Sequence, residues 1–210
     1  MNPKTVVIVE TNWVVDIIAP AHLQDLQALK LLTRAHNDEI TLFVPAICFA
    51  EARETVPRRF APRSRSEDLR KFVRWAKVNG KVLHQDAEIA LKVFDQFDGL
   101  VASELTKVSE RLSELADLPY LNLFSLSEKM LERQVTIGAL NISLKPFDLA
   151  ILAAVLVKAE ELFAVNNNEV YFCELDSDLH PWDKSGSPKP IIKKLYDDSH
   201  IRVYENFDLP

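Results

Sequence analysis

Hydrophobic positions along the chain fall into two kinds of run. Short continuous runs, mostly of β-branched and aromatic residues, occur at Thr5–Val9, 40–44, 169–173 and Ile201–Tyr204. Such runs suit strands buried on both faces of a parallel sheet. Between them, apolar residues recur at helical spacing. The pattern predicts helices over 13–18, 23–35 and 46–55, with Thr11 or Asn12 capping the first and Pro20 stopping it. Pro45 opens the third. A loop over 57–66 leads to a helix capped by Ser66, with Leu69, Phe72, Val73 and Ala76 on one side and basic residues on the other. Residues 81–84 read as a brief strand. A long helical pattern covers 86–116, with a break expected at Gly99. The sequence Ser125-Leu-Ser-Glu128 reads as a capping box opening a helix to about 136. A last short helix is predicted over 191–196.

One stretch is apolar almost all round. From Leu149 to Leu156 only Leu, Ala, Ile and Val occur, so this helix is expected to be buried on every side. Pro146 stands at its first turn, where the missing N–H costs nothing. Yet Asp148 also stands there, and the strand that follows runs into Glu174, Asp176 and Asp178. Carboxylates placed against a buried helix are unfavourable unless something positive neutralises them.

Strands alternating with helices predict an α/β fold: a central parallel sheet flanked by helices, in a single domain over 1–210. Residues 58–140 carry few strand signals and read as a helical insertion. No repeat or low-complexity tract is present.

Composition narrows the function classes. Four glycines in 210 residues leave no room for glycine-rich phosphate loops, and neither GxGxxG nor GxxxxGK[ST] occurs. Cys48 and Cys173 fall in core segments and read as reduced, buried thiols of a cytoplasmic protein. No run reaches membrane-spanning length, and none reads as a signal peptide. Trp13, Trp75, Tyr171 and Phe172 read as packing residues and Trp182 as a loop anchor. The net charge is −6, but residues 53–81 hold ten Lys or Arg against three acids. That local excess suits either a solvated helix face or a surface for an anionic ligand.

In an open parallel sheet, ligands bind beyond the carboxyl ends of the strands. Glu10 ends the first strand, and Asp176 and Asp178 follow the strand over 169–173. Asp148 opens the helix before that strand, and Glu51 lies in the second turn of the helix after strand two. Each acid alone has an ordinary explanation as a surface, helix-dipole or turn residue. Together they read as one site. Like charges so placed call for a cation, and oxygen-only ligation favours Mg²⁺ or Mn²⁺ over zinc. The five histidines show no ligand spacing.

The segments Val-Ile-Val-Glu-Thr-Asn12, Val-Pro-Ala-Ile-Cys-Phe-Ala-Glu51, Phe-Asp148-Leu-Ala-Ile-Leu-Ala-Ala and Glu174-Leu-Asp176-Ser-Asp178, in that order, resemble the PIN-domain family. The likeness runs from residue 5 to about 204, with 58–140 matching only as helical filler. It implies a metal-dependent endoribonuclease, in many members the toxin of a toxin–antitoxin pair held in check by a small protein. Carried over by position, Glu10, Glu51, Asp148 and Asp176 are the catalytic, metal-associated acids, with Asp178 as a further ligand and Asn12 matching the family's asparagine. Two departures stand out: Glu10 replaces the family's first aspartate, and Glu174 takes a place often held by Thr or Ser. Arg53, Arg58, Arg59, Arg63 and Arg65 follow the Glu51 helix and are candidates to hold an RNA backbone. The rival expectation is a catalytically impaired PIN-like module that binds RNA or a partner protein. A phosphate-ester hydrolase is a third, weakened by the lack of a DxD motif after strand one. A homodimer is the expected form if the chain self-associates.

Overall fold

A computed structural model describes residues 4–140, 142–166 and 169–209. Its centre is a parallel sheet of five strands: β1 (Thr5–Val9), β2 (Ile40–Pro45), β3 (Leu121–Phe124), β4 (Val170–Cys173) and β5 (Ile201–Tyr204). Their spatial order is β3-β2-β1-β4-β5, every pair parallel. The chain leaves β1 for β2 on one side and later adds β4 on the other. The β1/β4 seam is therefore the topological switch point, where an open α/β sheet offers a crevice.

The helices are α1 (Thr11–Ile18), α2 (Leu26–His36), α3 (Ala46–Arg59), α4 (Glu67–Val78), α5 (His84–Leu105), α6 (Val108–Ala116), α7 (Glu128–Gly138), α8 (Pro146–Asn166) and α9 (Pro190–Asp198). As its composition predicts, α8 is a core helix: Ile151, Leu152, Ala153, Val155 and Leu156 are fully buried. Trp13 and Phe172 are likewise buried, and the Trp13 indole N–H donates to Ala28 O at 3.3 Å, tying α1 to α2. Cys48 and Cys173 are buried free thiols. Among the described residues no helix is long and apolar enough to cross a membrane.

Several predicted boundaries shift for local reasons. Glu10, rather than Thr11 or Asn12, caps α1, because its extended backbone lets its own carboxylate accept from Asn12 N. A 3₁₀ turn at Ala21–Leu23 precedes α2, which Asp25 caps through the N–H groups of Gln27 and Ala28. Helix α3 runs through Pro57 to Arg59, anchored from below by buried Val56 and Phe60. Packing there outweighs the bond that proline removes. Residues 81–83 form no strand, and His84 already begins α5. That helix continues through Gly99 and breaks only at 106–107. Ser127, not Ser125, caps α7.

The stretch 58–140 is not a uniform helical insertion. Its second half belongs to the body: α6 packs on α1 and α3, β3 pairs with β2, and α7 packs on α8. The strand Leu-Asn-Leu-Phe lacks β-branched residues, so nothing in it signals β structure against its leucine-rich surroundings. The excursion is α4 and α5 alone. They form a hairpin whose ladder of ion pairs, Arg70 with Asp98 and Asp95 and Lys77 with Glu88, runs antiparallel. Gly80 makes the turn at φ 62°, a conformation that favours glycine. Ser66 stands at the N-cap position of α4 as expected, but its side chain makes no cap hydrogen bond. Its hydroxyl turns inward to the Asp98 carboxylate at 3.0 Å, which also accepts from Arg70 Nη2 at 2.6 Å. Burial pushes Asp98 upward, but the Ser66 and Arg70 hydrogen bonds outweigh it and hold the carboxyl below its ordinary value. Trp75, read from sequence as a packing residue, lies outward on this hairpin, as do Leu69 and Phe72.

Candidate active site

All five strands point their carboxyl ends at one edge, and the predicted acids collect there. Glu10, Thr11, Asn12, Glu51, Arg58, Lys145, Phe147, Asp148 and Asp176 line one cleft of about 630 Å³. Glu10 is the first residue past β1 and Glu174 the first past β4. Their predecessors Val9 and Cys173 are register partners, so the two carboxylates leave the sheet side by side at the switch point.

That inner pair is buried, Glu10 at 3% exposure and Glu174 at 0%. Glu10 Oε2 accepts from Asn12 N at 2.7 Å and Oε1 from Leu175 N at 3.4 Å. Desolvation dominates nonetheless. It raises the Glu10 pKa from 4.5 to about 8, with the Glu174 charge adding to the rise and the Asn12 hydrogen bond opposing it. Glu10 is therefore mostly protonated at neutral pH. Glu174 is also raised by burial and is partly offset by His180, whose Nε2 lies 2.8 Å from Glu174 Oε1 in an ion pair lacking hydrogen-bond geometry. The same contact raises the His180 pKa.

The outer acids form a second, coupled set. Asp148, in the first turn of α8, is buried, and its Oδ2 has no hydrogen-bond partner among the described residues. Burial raises its pKa, and the charges of Asp176, Glu51 and Asp178 raise it further, with Lys145 pulling the other way. Glu51 is held by Thr11, whose hydroxyl donates to Glu51 Oε2 at 2.5 Å. Asp176 sits on a short turn: its N–H donates to Glu174 Oε2 at 2.7 Å, and its Oδ1 accepts from Asp178 N at 2.9 Å. Lys189 Nζ secures this turn by donating to Ser177 O and Asp178 O at 2.6 and 3.2 Å.

The structure thus brings Glu10, Glu51, Asp148, Asp176 and Asn12 to one cleft, with exposed Asp178 near enough to act on Asp148. Among the described residues, however, no three His, Cys, Asp or Glu side chains stand together as a ready-made metal-binding group. Of the five candidate arginines only Arg58 lines the cleft. Arg59 pairs with buried Asp16 at 3.3 Å, Arg63 with Asp98 at 3.9 Å, Arg65 lies over the Phe60 ring, and Arg53 is exposed on a different side of α3 from Glu51 and Arg58. Sequence reasoning missed Thr11, Lys145 and Phe147, which adjacency to Glu10 and Asp148 signals, and His180 and Lys189, which nothing in the sequence ties to the acids.

Comparison of the chain with protein-family models, curated proteins and solved structures finds no match in any of the three.

Proposed function

We propose that the cleft takes a divalent cation and an RNA phosphodiester, and that the protein is a metal-dependent endoribonuclease resembling PIN-domain toxins. The observation that carries this is the meeting of acids from four separate segments at the switch point, around a buried Asp148 oxygen that no group among the described residues satisfies. Such an oxygen is costly unless a cation or solvent reaches it. The donor set is oxygen only, which suits Mg²⁺ or Mn²⁺. Asp148, Glu51 and Asp176 would hold the ion, with Asp178 at the rim. A bound ion supplies Lewis acidity, polarising a phosphoryl oxygen and activating water.

The chain's own groups do the rest. Thr11 fixes the Glu51 carboxylate, and the Asp176 turn fixes its neighbour. Arg58 and Lys145 line the same cleft and attract the phosphate backbone without reading sequence. Protonated Glu10 keeps negative charge in the cleft low, and a cation bound there would favour loss of its proton. As with many proteins it resembles, the partner that restrains it would be a small antitoxin protein.

Incubation with single-stranded RNA and Mn²⁺ tests this: the wild type cuts and Asp148→Asn does not. Equal cutting by both, or none by either, overturns it. Two observations favour a second reading, an RNA-binding module that has lost the chemistry: Glu10 is committed to capping α1, and among the described residues no three acids are preassembled. That module would show no rise in melting temperature with Mn²⁺ yet still bind RNA in a salt-dependent way.

A further inference from the structure

A second cavity, of about 580 Å³, lies across the turn that carries Asp176. Residues of that turn serve the two spaces in alternation: Asp176 and Leu179 line the acid cleft, Ser177 and His180 the second cavity. Two aromatic side chains stand in its wall. His180 is buried and Trp182 half-buried, and their rings stack with centroids 5.2 Å apart. The outer wall is the loop after Trp182, held as a tight bend. Asp183 Oδ1 accepts from Ser185 N at 2.8 Å and from Ser187 N at 3.0 Å, Gly186 turns at φ 81°, and Lys189 N donates to Pro181 O at 2.8 Å. Asp183 is thus occupied within the loop. Lys184 and Glu205 also line the cavity and are exposed. Beyond the pull of the Glu205 charge on His180, neither makes a hydrogen bond or ion pair among the described residues.

We propose that this cavity is a guanine subsite, taking the base of an unpaired nucleotide whose phosphate lies at the acid cleft. The placement of the phosphate rests on the nuclease reading; the recognition of the base does not. Three features select this ligand. The aromatic wall suits a flat ring, and unpaired RNA bases stack on Trp and His while being read along their edges. The charges disfavour a phosphate. Asp183 and Glu205 stand against one lysine here, whereas Arg58 and Lys145 attract phosphate on the other side of the turn. Donors and acceptors then choose among the four bases. A carboxylate can accept from two adjacent N–H groups at once. Guanine alone presents such a pair on one edge, the ring N1–H beside the N2 amine, and its O6 and N7 are acceptors suited to lysine. Adenine and cytosine offer a single amine, and uracil a single ring N–H. Glu205 therefore takes the N1–N2 edge of guanine, and Lys184 the O6–N7 edge.

Fluorescence anisotropy of a labelled oligouridylate with one central guanosine, in chelating buffer, tests this against strands with adenosine, cytidine, inosine or uridine at that place. The guanosine strand is expected to bind about tenfold tighter than the uridine strand, or better, as a good bidentate contact discriminates. Inosine, which lacks the N2 amine, is expected to fall between. Glu205→Gln puts a donor where one acceptor stood. It is expected to erase the guanosine preference and leave the melting temperature unchanged, since the side chain is exposed. Trp182→Leu is expected to weaken the guanosine strand severalfold more than a strand with an abasic site there. Equal affinity for the guanosine and uridine strands, or no binding of any strand, overturns the proposal. So does a preference for another base, or a guanosine preference that survives Glu205→Gln. Adding Mn²⁺ separates this claim from the nuclease reading. Guanosine preference without cutting supports the subsite and removes the nuclease; cutting without base preference does the reverse.

Discussion

Replacing Glu10 with Gln separates its charge from its shape. A carboxyl whose folded pKa lies above its unfolded value holds its proton more tightly in the folded state. Its contribution is therefore fully present below the unfolded value and is lost as pH rises through the folded one. For Glu10 the loss begins near 4.5 and ends near 8. At about 1.4 kcal/mol per pH unit, the full swing is about 5 kcal/mol. Glutamine keeps the shape and an oxygen for Asn12 N, so its cost at low pH stays within about 1 kcal/mol. Urea unfolding of both proteins in a chelating buffer, at pH 5, 7 and 9, measures the difference. Glu174, Asp148 and His180 are also raised and bias both proteins in the same direction, so the difference between the two reports Glu10 together with its coupling to Glu174. The variant is expected to match or slightly trail the wild type at pH 5 and to exceed it by several kcal/mol at pH 9. Parallel stability profiles, or a variant weaker at every pH, would refute the reasoning that Glu10 is a buried neutral acid.

Three further outcomes follow from particular contacts. Thr11→Val removes the hydroxyl that holds Glu51 and is expected to cost about 1 kcal/mol in unfolding free energy while weakening Mn²⁺ binding by calorimetry. Arg58→Ala is expected to lower the slope of log affinity for single-stranded RNA against log salt by about 0.7, whereas Arg59→Ala, which strips the partner from buried Asp16, is expected to lower melting temperature and leave that slope unchanged. Gly99→Ala places a methyl where nothing lies within 4 Å in the middle of α5, so denaturation should show a gain of roughly 0.5–1 kcal/mol.

What could be read from the chain alone follows from where the physics is local. The strands β1, β2, β4 and β5 announce themselves by apolar runs, and α8 by its lack of any polar face. The convergence of Glu10, Glu51, Asp148 and Asp176 needs only a parallel sheet whose carboxyl ends share an edge. What stayed hidden depends on tertiary placement. The four residues of β3 carry no β signature, and only pairing with β2 makes them a strand. Glu10 reads as a ligand because it ends a buried strand, yet the same position makes it the cap of α1 and the neighbour of Glu174. The arginines after Glu51 form one cluster in sequence, but the turn of α3 sends Arg59 to Asp16 and leaves Arg58 at the cleft. Trp75 and Phe72 look like core on an amphipathic helix, and only the placement of α4 at the outside of a hairpin exposes them.

The claim on which the functional reading rests is that the unpartnered Asp148 oxygen awaits a divalent cation. Crystals soaked in Mn²⁺ and measured near the manganese absorption edge locate that ion without reference to activity. An anomalous peak within ligand distance of Asp148 Oδ2, shared with Glu51 or Asp176, is the expected result. A clean map over this cleft in saturating Mn²⁺, or a peak confined to other surface acids, would contradict it.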